Sequence, residues 1–143
     1  MKTIASGAKA VGAVPQLGHI AIRTAKPKES IQFYENVFGL TISDQHEDPD
    51  ARFSIFFLGA QPPFHAIELV WNWDEGEIPT GRQVSHIAFE IEDLHATARA
   101  ALENHGTMLE EAHAKGEGHW RCYVCDPNGL AIELNEVKDC LPA

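Results

Sequence analysis

With 143 residues, the chain is about the size of one ordinary domain and long enough to bury a core without disulfide staples. Its 11 Lys and Arg stand against 21 Asp and Glu, a formal charge of -10 that repels phosphate backbones, so no nucleic-acid partner is expected. Three cysteines are an odd set that does not frame a secreted mini-protein, and no run of about 18 apolar residues could cross a bilayer; a soluble, cytoplasmic protein with no membrane partner is expected.

Residues 1–16 ("MKTIASGAKAVGAVPQ") carry Lys9 inside what would be an apolar signal core, and they read as a flexible N-terminal tail. A strand bearing His19 follows in "LGHIAI". Pro27 then opens a helix whose Ile31, Tyr34, Val37 and Phe38 recur at helical spacing, and Gly39 stops it. "LTIS" and "RFSIFFL" are strands, "QPP" at residues 61–63 is a turn, and "AIELV" is a strand carrying Glu68. Residues 74–83 ("DEGEIPTGRQ") form a polar linker inside a single domain spanning 17–143.

The second half repeats this order. "VSHIAF" brings His86. A helix begins near Asp93, with Leu94, Ala98, Ala101 and Leu102 on one face and Gly106 ending it. "TMLEE" and "WRCYVC" are strands, "DPNG" at residues 126–129 is a turn, and a second "AIEL" carries Glu133. His86 follows His19 at an offset of 67 positions, and Glu133 follows Glu68 at an offset of 65. Near-equal offsets at both ends make the chain an α+β protein of two tandem βαβββ modules, 17–73 and 84–137.

Side chains at i and i+2 of a strand share a face. One face of the four special strands therefore collects Ile20, Ile22, Ile67, Leu69, Ile87, Phe89, Ile132 and Leu134, the set that lies under the helices. The other collects His19, Glu68, His86 and Glu133, each with an alanine two places away: Ala21, Ala66, Ala88 and Ala131. A solvated sheet face would carry Lys, Thr and Ser instead. Polar heads beside small residues describe a hollow, and two imidazoles with two carboxylates suit a borderline divalent cation whose charge the carboxylates neutralise.

The segments "GHIAIR…SIQFYENVFGL", "RFSIFFLG", "IELVWNW", "SHIAFEI" and "DPNGLAIEL" resemble, in order, the glyoxalase I enzymes of the vicinal-oxygen-chelate superfamily. The resemblance implies a curved, open sheet around a metal held by His19, Glu68, His86 and Glu133, in the compact type that favours nickel or cobalt and also accommodates zinc or manganese. It further implies a lyase that uses glutathione as cosubstrate and turns its methylglyoxal hemithioacetal into S-lactoylglutathione through a metal-stabilised enediolate. Glu133 leads as the proton-shuttling base, with Glu68 its counterpart. Arg23 and Asn72 match positions that hold the γ-glutamyl end, while Lys115 and Arg82 are expected to meet carboxylates. A homodimer with its sites between subunits is the expected assembly.

"KGEGHWR" departs from the family loop at Glu117, and His119, Trp120 and Arg121 add bulk there, so both the thiol and the aldehyde stay open. The rival readings are an acyl-CoA epimerase or dioxygenase of the same superfamily, against which Glu68 counts, and a non-catalytic drug-binding protein, which would lack the quartet. Cys122 and Cys125 spell C-x-x-C on a strand, where the spacing sends the sulfurs to opposite faces. Trp71 and Trp73 flank Asn72 and read as packing residues.

Overall fold

The structure is a computed structural model that describes residues 7, 11–13, 15–60, 66–79, 81–114, 116 and 118–137. Most of the expected tail, the "QPP" turn, Lys115 and Cys140 lie outside the described residues. In the first module, β1 (Ile20–Arg23) leads into α1 (Pro27–Phe38), then β2 (Thr41–Asp48), β3 (Phe53–Gly59) and β4 (Ile67–Asn72). The second repeats the order as β5 (Ile87–Ile91), α2 (Leu94–Glu103), β6 (Thr107–Ala114), β7 (His119–Cys125) and β8 (Ala131–Val137).

Each module forms its own four-stranded sheet, in the orders β1-β4-β3-β2 and β5-β8-β7-β6. The hydrophobic pattern fixes register, because a slip by one residue would turn the buried isoleucines and leucines outward. In the parallel pairs Ala21 faces Glu68 and Ile22 faces Leu69, and correspondingly Ala88 faces Glu133 and Phe89 faces Leu134. The internal repeat thus extends to backbone pairing. Strands β1 and β5, beside which the two histidines stand, are edge strands, and the two sheets share no ladder among the described residues.

Pro27 opens α1 without needing a backbone N–H, and Gly39 ends it at φ 70°, its N–H donating to the carbonyl of Glu35. Asp93 caps α2 by accepting the Ala96 N–H at 3.0 Å. Buried Glu136 accepts the Leu94 N–H of the same helix start at 2.8 Å. The end of α2 differs from expectation. Asn104 is its C-cap and His105 takes the left-handed φ of 73°, while Gly106 is required for space. A Cβ there would fall 2.7 Å from the Ala101 carbonyl and from the Phe33 ring, and 2.8 Å from the Cys125 carbonyl.

Phe33, Tyr34, Leu58 and Leu69 from the first module share one core with Leu94, Ala101, Cys122 and Leu134 from the second. Each large apolar side chain fully buried there contributes about 2 kcal/mol. The helices meet through hydrogen bonds from Asn36 to Asn104 and between Gln32 and His105, and Phe38 stacks on Phe89 with ring centroids 3.9 Å apart. A buried polar seam joins α1 to the turn before β8: the Tyr34 hydroxyl donates to Asp126 at 2.8 Å, and Asn128 donates to Thr24 and Ser30. Burial pushes the Asp126 carboxyl above the usual range, partly offset by the Tyr34 hydroxyl and backbone N–H groups; burial, with Asp126 beside it, raises the Tyr34 phenol as well.

Candidate metal centre

His19 immediately precedes β1, and Glu68 projects from β4 on the same face because Ala21, its register partner, lies two residues beyond His19. The small alanine leaves the imidazole room to reach across: Nε2 of His19 lies 2.7 Å from Oε2 of Glu68. From the other side Phe57, paired with Glu68, sets its ring edge-on to the imidazole at 5.4 Å. In the second module His86 precedes β5, its Nε2 is 2.8 Å from Oε2 of Glu133, and Tyr123 sits edge-on to it at 5.4 Å. The two pairs are built alike. In both, the carboxylate is the more buried partner, with side-chain exposures of 17% for Glu68 and 12% for Glu133.

An imidazole nitrogen and a carboxylate oxygen at this separation share a hydrogen bond within the protein, and they are also the nitrogen and oxygen donors that a borderline divalent ion takes. The donor chemistry therefore fits such an ion. The number per chain does not complete it. Among the described residues no group of three or more His, Cys, Asp or Glu side chains could hold a metal, and the four residues expected as ligands stand as two separate His–Glu pairs in one chain. Both histidines line one cleft of about 510 Å³, with Leu17, Ala66, Ala88 and Phe89.

Several neighbours escape a reading by sequence. Ser85 Oγ lies 2.8 Å from Nδ1 of His86, which orients the ring and directs Nε2 toward Glu133; a hydroxyl next to the histidine was the available signal. Arg121 is the larger omission. Its Nη1 lies 3.7 Å from Oε1 of Glu133, its guanidinium lies over Tyr123 at 5.5 Å, and its Nη2 reaches His113 at 3.4 Å. Nε of Arg121 is buried with no hydrogen-bond partner among the described residues. Alternation could have placed it, since Arg121 is two before Tyr123 and faces Asn135, which shares the Glu133 face.

Of the expected substrate residues, Arg23 and Asn72 are brought together. Both point to the site face, and both donate to Oε2 of Glu75, a residue from the turn that follows β4. Asn72, first, and Arg23 hold the Glu75 carboxyl below the usual range. Arg82 is exposed in the segment before β5 and makes no hydrogen bond or ion pair among the described residues. Cys122 is buried on the core face with its thiol pushed up to about 11, chiefly by burial, and Cys125 is half-buried on the opposite face. Trp73 packs as expected, its indole donating to Ser54 at 2.9 Å with Arg52 over its ring.

Residues 16–134 match the Glyoxalase/Bleomycin resistance protein/Dioxygenase superfamily. The lactoylglutathione lyase of Haemophilus influenzae is 32% identical over 126 residues, covering 86% of this chain and 93% of that protein. The lactoylglutathione lyase of Salmonella typhimurium is 32% identical over 127 residues, 87% of this chain and 94% of that one. In fold the chain resembles glyoxalase I from Zea mays (TM-score 0.75, 24% identity, 84% of this chain), although it spans only 45% of the maize chain. The trypanothione-dependent glyoxalase I of Leishmania major superposes with a TM-score of 0.74 at 24% identity, over 86% of this chain and 87% of that one. No helix among the described residues is long and apolar enough to cross a membrane. With the duplicated module, its register and these enzymatic relatives in agreement, the chain belongs to the Glyoxalase/Bleomycin resistance protein/Dioxygenase superfamily.

Proposed function

We propose that this protein is a metal-dependent lactoylglutathione lyase of the glyoxalase I type, isomerising the hemithioacetal of methylglyoxal and glutathione. The observation that carries the reading is the duplicated His–Glu pair, set on equivalent strands at 2.7 and 2.8 Å, in a chain 32% identical to lactoylglutathione lyases over most of its length. Each chain holds two half-sites, so two copies related by a twofold axis would place His19 and Glu68 of one against the equivalent of His86 and Glu133 of the other, giving a homodimer with two sites. Edge strands β1 and β5, with Ile20, Ile22 and Ile87 only partly buried along them, offer a surface for that pairing. A cytoplasmic setting agrees with the free thiols.

The four side chains would hold a divalent ion, nickel or cobalt by preference and zinc or manganese as alternatives, which supplies the positive charge that favours the developing enediolate oxygens. Glu133 takes the proton from the carbon that carries sulfur and hydroxyl, the C–H electron pair becomes the carbon–carbon double bond and the carbonyl π pair moves onto its oxygen; the same carboxylate then returns the proton to the neighbouring carbon, while the hydroxyl proton passes to the former carbonyl oxygen as the thioester carbonyl forms. A thioester and a new C–H bond result, so the reaction is redox-balanced within the substrate. Glu68 is the counterpart carboxylate, and His19 and His86 position the pairs. Arg23, Asn72, Arg82 and Lys115 are assigned to the carboxylate ends of the thiol. The test is turnover of the methylglyoxal–glutathione adduct by metal-stripped protein to which nickel, cobalt, zinc or manganese is returned singly. Turnover restored by nickel or cobalt supports the reading, and its absence with all four ions overturns it.

A further inference from the structure

Arg121 is a largely buried cation in the wall of the candidate centre, with a side chain only 21% exposed and most of its donors unused. Nη2 makes one long hydrogen bond, to Nε2 of His113 at 3.4 Å. Nη1 stops 3.7 Å from Oε1 of Glu133, beyond hydrogen-bond reach, and the buried Nε has no partner among the described residues. Buried polar groups are ordinarily hydrogen-bonded, and a guanidinium keeps its charge on burial. The fold itself needs no cation here. The matching position of the first module is Ile55, and Glu68 stands almost as buried as Glu133 with no Lys or Arg ion pair among the described residues.

Its neighbours aim the guanidinium without neutralising it. Nδ1 of His113 lies 3.2 Å from the Glu111 carbonyl, an acceptor, so that nitrogen donates and Nε2 accepts from Arg121. Glu110 engages the same Nδ1 at 3.5 Å and forms no ion pair with Arg121 among the described residues. Tyr123, edge-on to His86, lies under the guanidinium with its ring centre 5.5 Å away. The carboxylate within ion-pair distance is Glu133. In the proposed function that carboxylate serves the divalent ion and the reacting carbon, which leaves Arg121 with vacant donors beside the reacting end of the substrate. The methyl of methylglyoxal would offer those donors nothing. A carboxylate would accept two N–H bonds side by side and restore charge balance.

We propose that Arg121, steadied by His113, is a specificity-determining residue that binds an anionic group on the aldehyde half of the substrate. The preferred hemithioacetal then derives from an α-oxoaldehyde whose terminal methyl is replaced by a short chain ending in a carboxylate. The assignment rests on the isomerase reading and names its substrate class: the reacting carbon lies about 3 Å from Glu133 during proton transfer, and a chain of about two methylenes carries the carboxylate on to Arg121. This anion is distinct from the carboxylates of the thiol.

The probes are S-(carboxybutyl)glutathione and its uncharged amide, S-(carbamoylbutyl)glutathione, which share the thiol and differ in charge at the end of the S-chain. Calorimetry on the native protein supplied with nickel should give at least roughly tenfold tighter binding of the carboxylate conjugate. Arg121→Leu should abolish that preference by weakening the carboxylate conjugate alone, and Arg121→Lys, which keeps the charge and loses the fork, should restore part of it. In turnover, the glutathione adduct of the α-oxoaldehyde with carboxyethyl in place of methyl should exceed the methylglyoxal adduct in kcat/KM. Equal affinity for the two conjugates, tighter binding of the amide, binding of neither, or faster turnover of the methylglyoxal adduct overturns the assignment. So does an equal loss of both conjugates in Arg121→Leu, the result expected of a purely structural residue or of a contact to the thiol. If the carboxylate preference is present while no metal restores turnover of either adduct, the isomerase reading falls and the anion site stands. Turnover without the carboxylate preference removes the anion site alone.

Discussion

The two His–Glu pairs share their geometry and differ in the wall behind them. In the first, the strand beside Glu68 offers Phe57 and, two residues earlier, Ile55; in the second, the equivalent places hold Tyr123 and Arg121. Glu68 thus sits against an apolar wall, whereas Glu133 has a guanidinium 3.7 Å from its second oxygen and a serine hydroxyl on its histidine partner. Duplication repeats what strand register dictates, namely the His, the Glu and the aromatic edge. The flanking positions are free to diverge, and they separate two carboxylates that the ligand pattern alone makes equivalent.

The largest expected effect comes from removing either base. On the proposed function, Glu133→Gln lowers kcat by about 10²–10⁴-fold, the usual size of a general-base contribution, and Glu68→Gln should cost less. Steady-state kinetics on metal-saturated variants measure both, and an equal loss from the two would erase the functional difference between the walls. Arg121→Leu sharpens the comparison. Making the second wall as apolar as the first should change kcat by roughly fivefold, about 1 kcal/mol for a partly buried ion pair, whereas Ile55→Leu should leave it unchanged.

The strand faces, the module repeat and all four ligand candidates were legible in the sequence because a period of two is written directly in "GHIAI", "AIEL" and "SHIAF". What alternation cannot give is which sheets join. It shows that four polar heads lie on the same kind of face, yet β1 and β5 end as edges of separate sheets and the heads meet only in twos. Glu75 was hidden for another reason: its contact to Arg23 spans 52 positions and depends on a turn that folds it back. Gly106 signals a helix stop by composition, while its actual constraint is the Phe33 ring arriving from the other module.

Smaller effects concern the seam that fixes one module on the other. Tyr34→Phe removes the hydroxyl that Asp126 accepts and should destabilise the fold by about 1–3 kcal/mol, read from chemical denaturation with the substrate-free protein. The smallest is a dependence on pH. Because burial holds the Asp126 carboxyl above its unfolded value, its protonated form is favoured in the fold; the stability this gives is present at pH below the unfolded carboxylate value and is lost as pH rises through the folded one. Asp126→Asn should flatten that part of the stability profile, and an unaltered profile would place the titration elsewhere.

The central claim, that each site takes one His–Glu pair from each of two chains, is tested most directly by mixing two inactive variants. His19→Ala and His86→Ala each spoil both sites of their own dimer. After unfolding and refolding together, half the dimers are mixed and one of the two sites in each mixed dimer keeps all four ligands, so about a quarter of the native metal binding and activity should return. Sites assembled within single chains would leave every site in the mixture damaged, and no recovery above the separate variants would contradict the account.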